Sequence, residues 1–396
     1  MKLSLRTILL GIAAASAACT GGTSQQEAAD NSASQESKEV TVTRAKSRRT
    51  TSPAIALRNM HAQISSMQRR VETFPSDIGS REVLVDLLLN RTKFLGSYDD
   101  FDMALALAKD AKQHAKEHAS AGRVALLHAK VLSAVHRFDE ALLEISAAET
   151  LGAHGTSQAR QSIELARGND AVEIVSLRTA EATRVPSYAS RTALASALSS
   201  AGSYAKADVA YVDAKEGYRD VSPFPLAWIS FQRGMMWGEM ADKPDQAYKL
   251  YQNAVALLPQ YIVGNVHLAE LESARGENAQ AIARLERIVN STVDPEPASR
   301  LAEMLRDSDP ERADKYAKRA NDGYIKLLQK YPLAFADHAT EFYLGEGNDP
   351  ERALELAMLN LGNRQTERAY ELALRAANAA GDAKLVTKLT AKLSVR

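Results

Sequence analysis

Ala247 and Ala281 stand 34 residues apart in matching segments, Ala241-Asp242-Lys243-Pro244-Asp245-Gln246-Ala247 and Gly276-Glu277-Asn278-Ala279-Gln280-Ala281. Gly347 and Gly381, each opening a polar turn, repeat the same interval of 34. A period of this length confines the chain to a stack of small supersecondary units, each burying its apolar face against the next. Other copies are Gly202-Ser203-Tyr204-Ala205-Lys206-Ala207 and His136-Arg137-Phe138-Asp139-Glu140-Ala141. Their alanines lie 66 residues apart, leaving room for one degenerate copy around Arg167-Gly168-Asn169-Asp170-Ala171. Further copies centre on Gly96-Ser97-Tyr98 with Ala104 and on Asp309-Pro310-Glu311-Arg312-Ala313.

Within each period the apolar residues recur at helical spacing, as in Leu194 and Leu198, Leu268 and Leu271, and Leu285 and Ile288. Small residues such as Ala195, Ala269 and Ala281 let two helices approach closely. Alanine, leucine, glutamate, lysine and arginine are abundant, and these residues lose little rotamer freedom in a helix. Pro259 follows the helical run Ala254-Val255-Ala256-Leu257-Leu258, where it stops helix continuation. These residues and spacings resemble the tetratricopeptide repeat over roughly 80–396, most clearly over 188–295. The resemblance implies an all-α solenoid of antiparallel helix hairpins, and a protein or peptide segment bound in its concave groove. Intervals of 40 residues, from Ala207 to Ala247 across Ser222-Pro223-Phe224-Pro225 and from Ala313 to Ala353, predict an irregular superhelix. Leu385, Leu389 and Leu393, with Lys388 and Lys392 between them, predict a terminal capping helix with a solvated outer face.

The N-terminus carries different information. Met1, Lys2 and Arg6 precede the apolar run Leu9–Ala15, which is shorter than the about 20 residues a spanning helix needs. Residues 1–18 read as a signal peptide. Ser16-Ala17-Ala18-Cys19 resembles a bacterial lipobox, with Ser16 where Leu is usual, which implies lipid attachment to Cys19. Cleavage after Ala15-Ser16-Ala17 is the alternative and gives a soluble periplasmic or secreted protein. Residues 19–52 are polar and rich in Ser, Gln and Glu, so they form a disordered tether ahead of a folded domain at 53–396. Arg44, Lys46, Arg48 and Arg49 close the tether and read as solvated linker. Thr20 rather than Asp after the cysteine implies outer-membrane sorting, facing the periplasm. Repeat lipoproteins of this build, by resemblance, support assembly of outer-membrane proteins, pili or secretion machines.

Catalytic chemistry has little support. Cys19 is the single cysteine, which excludes an intrachain disulfide. Lys plus Arg and Asp plus Glu both number 49, which argues against general nucleic-acid binding. The chain lacks a nucleophile elbow, a phosphate loop and a dinucleotide fingerprint, so no enzymatic activity and no cofactor are expected. His114 and His118 are one helical turn apart, the spacing of a metal pair, but Ala115 replaces the Glu of the zinc-protease pattern. A metal-dependent hydrolase built on them is the competing reading. His267 with Glu270, and His338 with Glu341, share helical faces and are expected to be satisfied interhelical hydrogen bonds. The aromatic segment Tyr331–Leu344 is explained by packing. By the resemblance, with Gly234 and Ala247 at the small positions and a one-residue insertion near Lys243, Trp228, Phe231 and Met235 line the concave groove. Val263, Val266 and Glu270 are their equivalents in the next repeat. The oligomeric state and the identity of the partner are not encoded in any recognisable way.

Overall fold

The computed structural model describes residues 50–394 apart from Lys116 and Asp170, and omits the side chains of His118 and Ala119. The expected signal peptide, Cys19 and the expected tether as far as residue 49 lie outside the described residues. All regular structure among the described residues is helical. No described helix is long and apolar enough to cross a membrane.

Helix α1 (Pro53–Thr73) precedes a series of hairpins. These are α2 (Ile78–Leu95) with α3 (Asp100–His114), α4 (His118–Ala134) with α5 (Phe138–Thr150), and α6 (Thr156–Arg167) with α7 (Ala171–Arg184). Then come α8 (Tyr188–Ser200) with α9 (Tyr204–Gly217), α10 (Pro223–Met235) with α11 (Pro244–Leu257), and α12 (Ile262–Ala274) with α13 (Asn278–Val289). The last are α14 (Glu296–Leu305) with α15 (Pro310–Lys330), α16 (Pro332–Leu344) with α17 (Pro350–Asn363), and α18 (Glu367–Ala379) with α19 (Ala383–Leu393). Side chains of Asp77, Ser187, Asp309, Asp349, Thr366 and Asp382 accept the N3 backbone N–H, satisfying an orphan donor at each helix start.

The alanines that mark the repeat hold the hairpins together. Ala104, Ala141, Ala207, Ala247, Ala281, Ala313 and Ala353 are all 0% exposed, so each fills a seam that a longer side chain would force apart. The tightest seam joins α10 and α11, where a Cβ on Gly234 would lie 2.4 Å from the Tyr251 ring.

Two departures from the 34-residue period have local causes. Ser222-Pro223-Phe224-Pro225 is the start of α10, with Ser222 as N-cap and prolines in the first turn, where no intrahelical N–H is needed. Helix α10 then runs into a π-helical turn, Met236–Met240, closed by the Ala241 N–H donating to Met236 O at 3.0 Å. This i→i+5 bond takes up the extra residue expected near Lys243. The 21 residues of α15 account for most of the second long interval. At the C-terminus Leu389 is buried, Leu385 and Leu393 are half-buried, and Lys388 and Lys392 are exposed, as a capping helix requires.

The solenoid also closes on itself. Phe94 packs on Phe224 and Tyr261, and Phe101 on Tyr331, with centroids 4.9–5.3 Å apart. Tyr98 hydrogen-bonds Asp294, the ring of His136 meets Leu333 O at 3.1 Å, and the Asn363 amide donates to His136 O at 3.0 Å. The Gln365 N–H donates to Arg167 O at 2.8 Å. The turn after α2 thus docks on the loop before α14, the turn after α4 on the start of α16 and the end of α17, and the end of α6 on the loop before α18. Phe101, Ala134 and Val135 join the apolar core of the C-terminal hairpins.

Candidate functional site

Successive first helices of the hairpins touch one another, α2 with α4, α4 with α6, α6 with α8, α12 with α14 and α16 with α18, and more extensively than successive second helices do. The first helices therefore form the inner face of the curve. That face is lined with paired charges. Glu82 meets Arg123 at 2.5 Å and Asp86 meets Lys130 at 2.7 Å on the α2–α4 side. Farther along, Glu270 of α12 meets Arg300 of α14 at 2.6 Å, and Arg300 meets Glu303 at 3.1 Å. Glu341 of α16 holds Arg375 of α18 in a two-pronged pair at 2.9 and 3.0 Å, with Arg368 at 3.9 Å.

Six residues were expected on this face. Phe231 is 2% exposed and sits among Tyr251, Tyr261 and His267, with centroids 5.1–5.7 Å away. Met235 is buried and its Sδ accepts from the Tyr251 hydroxyl at 3.4 Å; Val266 is 0% exposed. Val263 is half-buried against the same core. Packing between repeats accounts for these four. Trp228, 9% exposed, lies edge-on to Tyr211 and carries the Lys93 Nζ 5.7 Å from its ring centroid. Glu270 reaches the charged ladder. Of the six, Trp228 and Glu270 adjoin the charged groups of the inner face.

The histidine pairs also differ from expectation. His267 is buried and neither ring nitrogen has a hydrogen-bond partner, although Nδ1 is 3.3 Å from Glu270 Oε2. Its ring stacks on Tyr251 instead, at 5.3 Å and 26°. His338 faces Glu296 at 3.7 Å and Asp337 at 3.8 Å rather than Glu341, whose carboxylate is taken by arginine. His114 pairs with Asp110 at 3.4 Å, and the side chain of His118 lies outside the described residues. Among the described residues no three His, Cys, Asp or Glu side chains are grouped to hold a metal.

Sequence reasoning missed Glu239, in the π-helical turn. Burial and the neighbouring Glu270 carboxylate push its carboxyl up to about 9 against the pull of Arg368 and Arg300. Burial beside Asp294 likewise raises Glu296 well above the usual carboxylate range. The visible signal was a lone carboxylate in an apolar stretch, Glu239 in Gly234-Met235-Met236-Trp237-Gly238-Glu239-Met240.

A search of curated protein sequences returns no match. A chain in the crystal structure of the APC/C hetero-tetramer Cut9-Hcn1 is similar at 11% identity and a TM-score of 0.40, over 80% of this chain and 73% of that one. Residues 240–314, from the end of the π-helical turn into α15, match the family described as Tetratricopeptide repeat. The chain thus carries tetratricopeptide-repeat sequence over residues 240–314, and alanine-seamed helix hairpins continue on both sides of that segment.

Proposed function

We propose that this protein is a non-catalytic interaction scaffold, exported and lipid-anchored through Cys19, that binds a segment of a partner protein on its inner face. The observation that carries the scaffold reading is the contrast between seams and inner face. The seams are closed by alanines that are 0% exposed, whereas the inner face keeps charged side chains within reach of solvent, among them Glu303 at 54%, Arg123 at 52% and Arg375 at 44%. A surface that is rigidly supported, polar and concave suits recognition of a protein segment. The location rests on the sequence alone: the leader, Cys19 and Thr20 support an outer-membrane lipoprotein facing the periplasm and serving assembly or secretion. Ser16 favours the second reading, a soluble periplasmic scaffold.

Metabolic palmitate labelling of wild type and Cys19→Ser separates the two locations. Label on wild type alone supports the anchor, and no label on either supports soluble export. For the scaffold, a partner recovered by affinity capture is lost in the double variant Arg300→Ala, Glu303→Ala and retained in Leu143→Asp, a site 72% exposed on the second helix α5. Equal recovery with both would contradict inner-face binding.

A further inference from the structure

Helix α1 has no hairpin partner, and it turns one face to solvent along its length. Met60, Ile64 and Val71 are buried against Leu84, Val85 and Leu88 of α2. On the other side Ile55, Arg58, Ala62, Ser65 and Arg69 are all exposed. Their spacing of three, four, three and four residues draws them into one line along an unbroken α-helix. Arg58 and Arg69 stand about 16 Å apart on that line, with only the small Ala62 and Ser65 between them.

Neither guanidinium has a hydrogen bond or ion pair with any described residue. Among the described residues every other arginine except Arg287 has at least one. The charge around them is biased as well. From Val40 to Val71 the sequence has no Asp or Glu and seven Lys or Arg, although the whole chain balances at 49 of each sign. A wet outer face suits any terminal helix of a solenoid, but such a face needs no excess of one sign.

Three observations favour a bilayer as the occupant. Arg58 and Arg69, with Arg44, Lys46, Arg48 and Arg49 just before the helix, match the four to eight basic residues that mark anionic-lipid binding. Ile55, 44% exposed on the same line, gives a headgroup layer an apolar side chain to take up, whereas a nucleic acid gains nothing from it. The chain also enters the fold here, fixed by the Thr51 N–H donating to Val221 O at 2.8 Å, so the segment that leads back to Cys19 starts beside this face.

We propose that the outer face of α1 docks on an anionic phospholipid surface, with Arg58 and Arg69 meeting lipid phosphates and Ile55 entering the headgroup layer. The choice of a bilayer rests in part on the reading of Cys19 as an anchor. A flexible tether of some 30 residues would hold α1 within about 30 Å of the membrane.

The test uses the full chain with Cys19→Ser, purified without lipid. It is floated with vesicles of equal parts phosphatidylglycerol and phosphatidylcholine, or of phosphatidylcholine alone. Binding should favour the anionic vesicles, and that preference should fall with added salt; the apolar leader is common to every arm. A basic side chain near such a surface strengthens binding about fivefold, so Arg58→Gln with Arg69→Gln should weaken it about 25-fold. Arg287→Gln removes the third unpaired arginine, on α13, and should leave binding unchanged. The Cys19→Ser chain has no cysteine, so a bimane on Ile55→Cys is a single label. Its emission should shift to the blue on anionic vesicles, and the same label on Leu143→Cys of α5 should not shift. Equal binding to both kinds of vesicle, an equal loss with Arg287→Gln, or a response from position 143 alone would overturn the inference. Binding to an oligonucleotide that needs Arg58 and Arg69, without binding to vesicles, would overturn it in favour of a polyanion. Palmitate labelling is read separately: an unlabelled Cys19 with vesicle binding through α1 would overturn the anchor and leave the docking face standing.

Discussion

The Tyr98 hydroxyl donates a 2.8 Å hydrogen bond to Asp294 Oδ2, joining the turn after α2 to the loop before α14 across 196 residues of sequence. Helical repeats ordinarily contact only their neighbours, which makes them quasi-one-dimensional. Here the N-terminal hairpins are stitched to the C-terminal ones, so the array should unfold as one unit.

Tyr98→Phe tests that stitching. The ring keeps its edge contact with Phe335 at 4.7 Å, while Asp294, which is buried, loses its hydroxyl donor. Urea denaturation should show a loss of roughly 1–3 kcal/mol and a broader or split transition. An unchanged midpoint with a single sharp transition would show that this contact contributes nothing to closure.

Gly168 and Gly202 form a matched comparison. Both have positive φ, 83° and 70°, so alanine costs about 1 kcal/mol of backbone strain at either site. A Cβ on Gly168 would also lie 2.6 Å from Gln365 O, whereas one on Gly202 meets open space. Gly168→Ala should therefore be the more damaging by about 1–3 kcal/mol in thermal or urea unfolding. Equal losses would mean that the loop before α18 does not depend on this docking.

Glu239→Gln should stabilise the protein at alkaline pH. A carboxyl whose folded pKa is raised contributes stability that is present below its unfolded pKa and lost as pH rises toward and through about 9. Melting temperatures from pH 5 to 9 should fall more steeply for wild type than for the variant. Parallel curves would contradict the burial of an unpaired carboxyl.

His136 gives the opposite slope. Burial and the nearby Arg364 guanidinium depress its imidazole to about 3, so the native state holds it neutral while the unfolded chain protonates it below about 6.5. Stability from this group is present above that value and is lost as pH falls toward 3. His136→Asn removes the titration and tolerates the backbone φ of 57°. Its melting temperature should drop less between pH 7 and 5 than that of wild type, and an equal drop would show that His136 is not the group responsible.

Much of the fold was legible in residue spacing. The alanines from Ala104 to Ala353 could be read as seam residues because a close helix–helix approach leaves few alternatives at those positions. The closure was not legible, since Gly96, Gly168 and Gly202 look alike as turn glycines. What separates them is the surface opposite, Thr292 for Gly96 and Gln365 for Gly168, which is brought near only by the curvature of the whole array. The inner-face residues were mixed for a related reason. The first helices were read correctly as such, but Phe231 and Met235 turn toward Tyr251, and the one-residue insertion became a π-helical turn carrying Glu239. Whether a lone glutamate is paired depends on where Arg300 and Arg368 land, and no local pattern encodes that.

Binding on the inner face is tested most directly by site-specific photo-crosslinking. A benzophenone amino acid at Glu303, on the inner face, should capture a discrete partner in cells. The same group at Leu143, exposed on α5, should not. Adducts from position 143 and none from 303 would contradict the account.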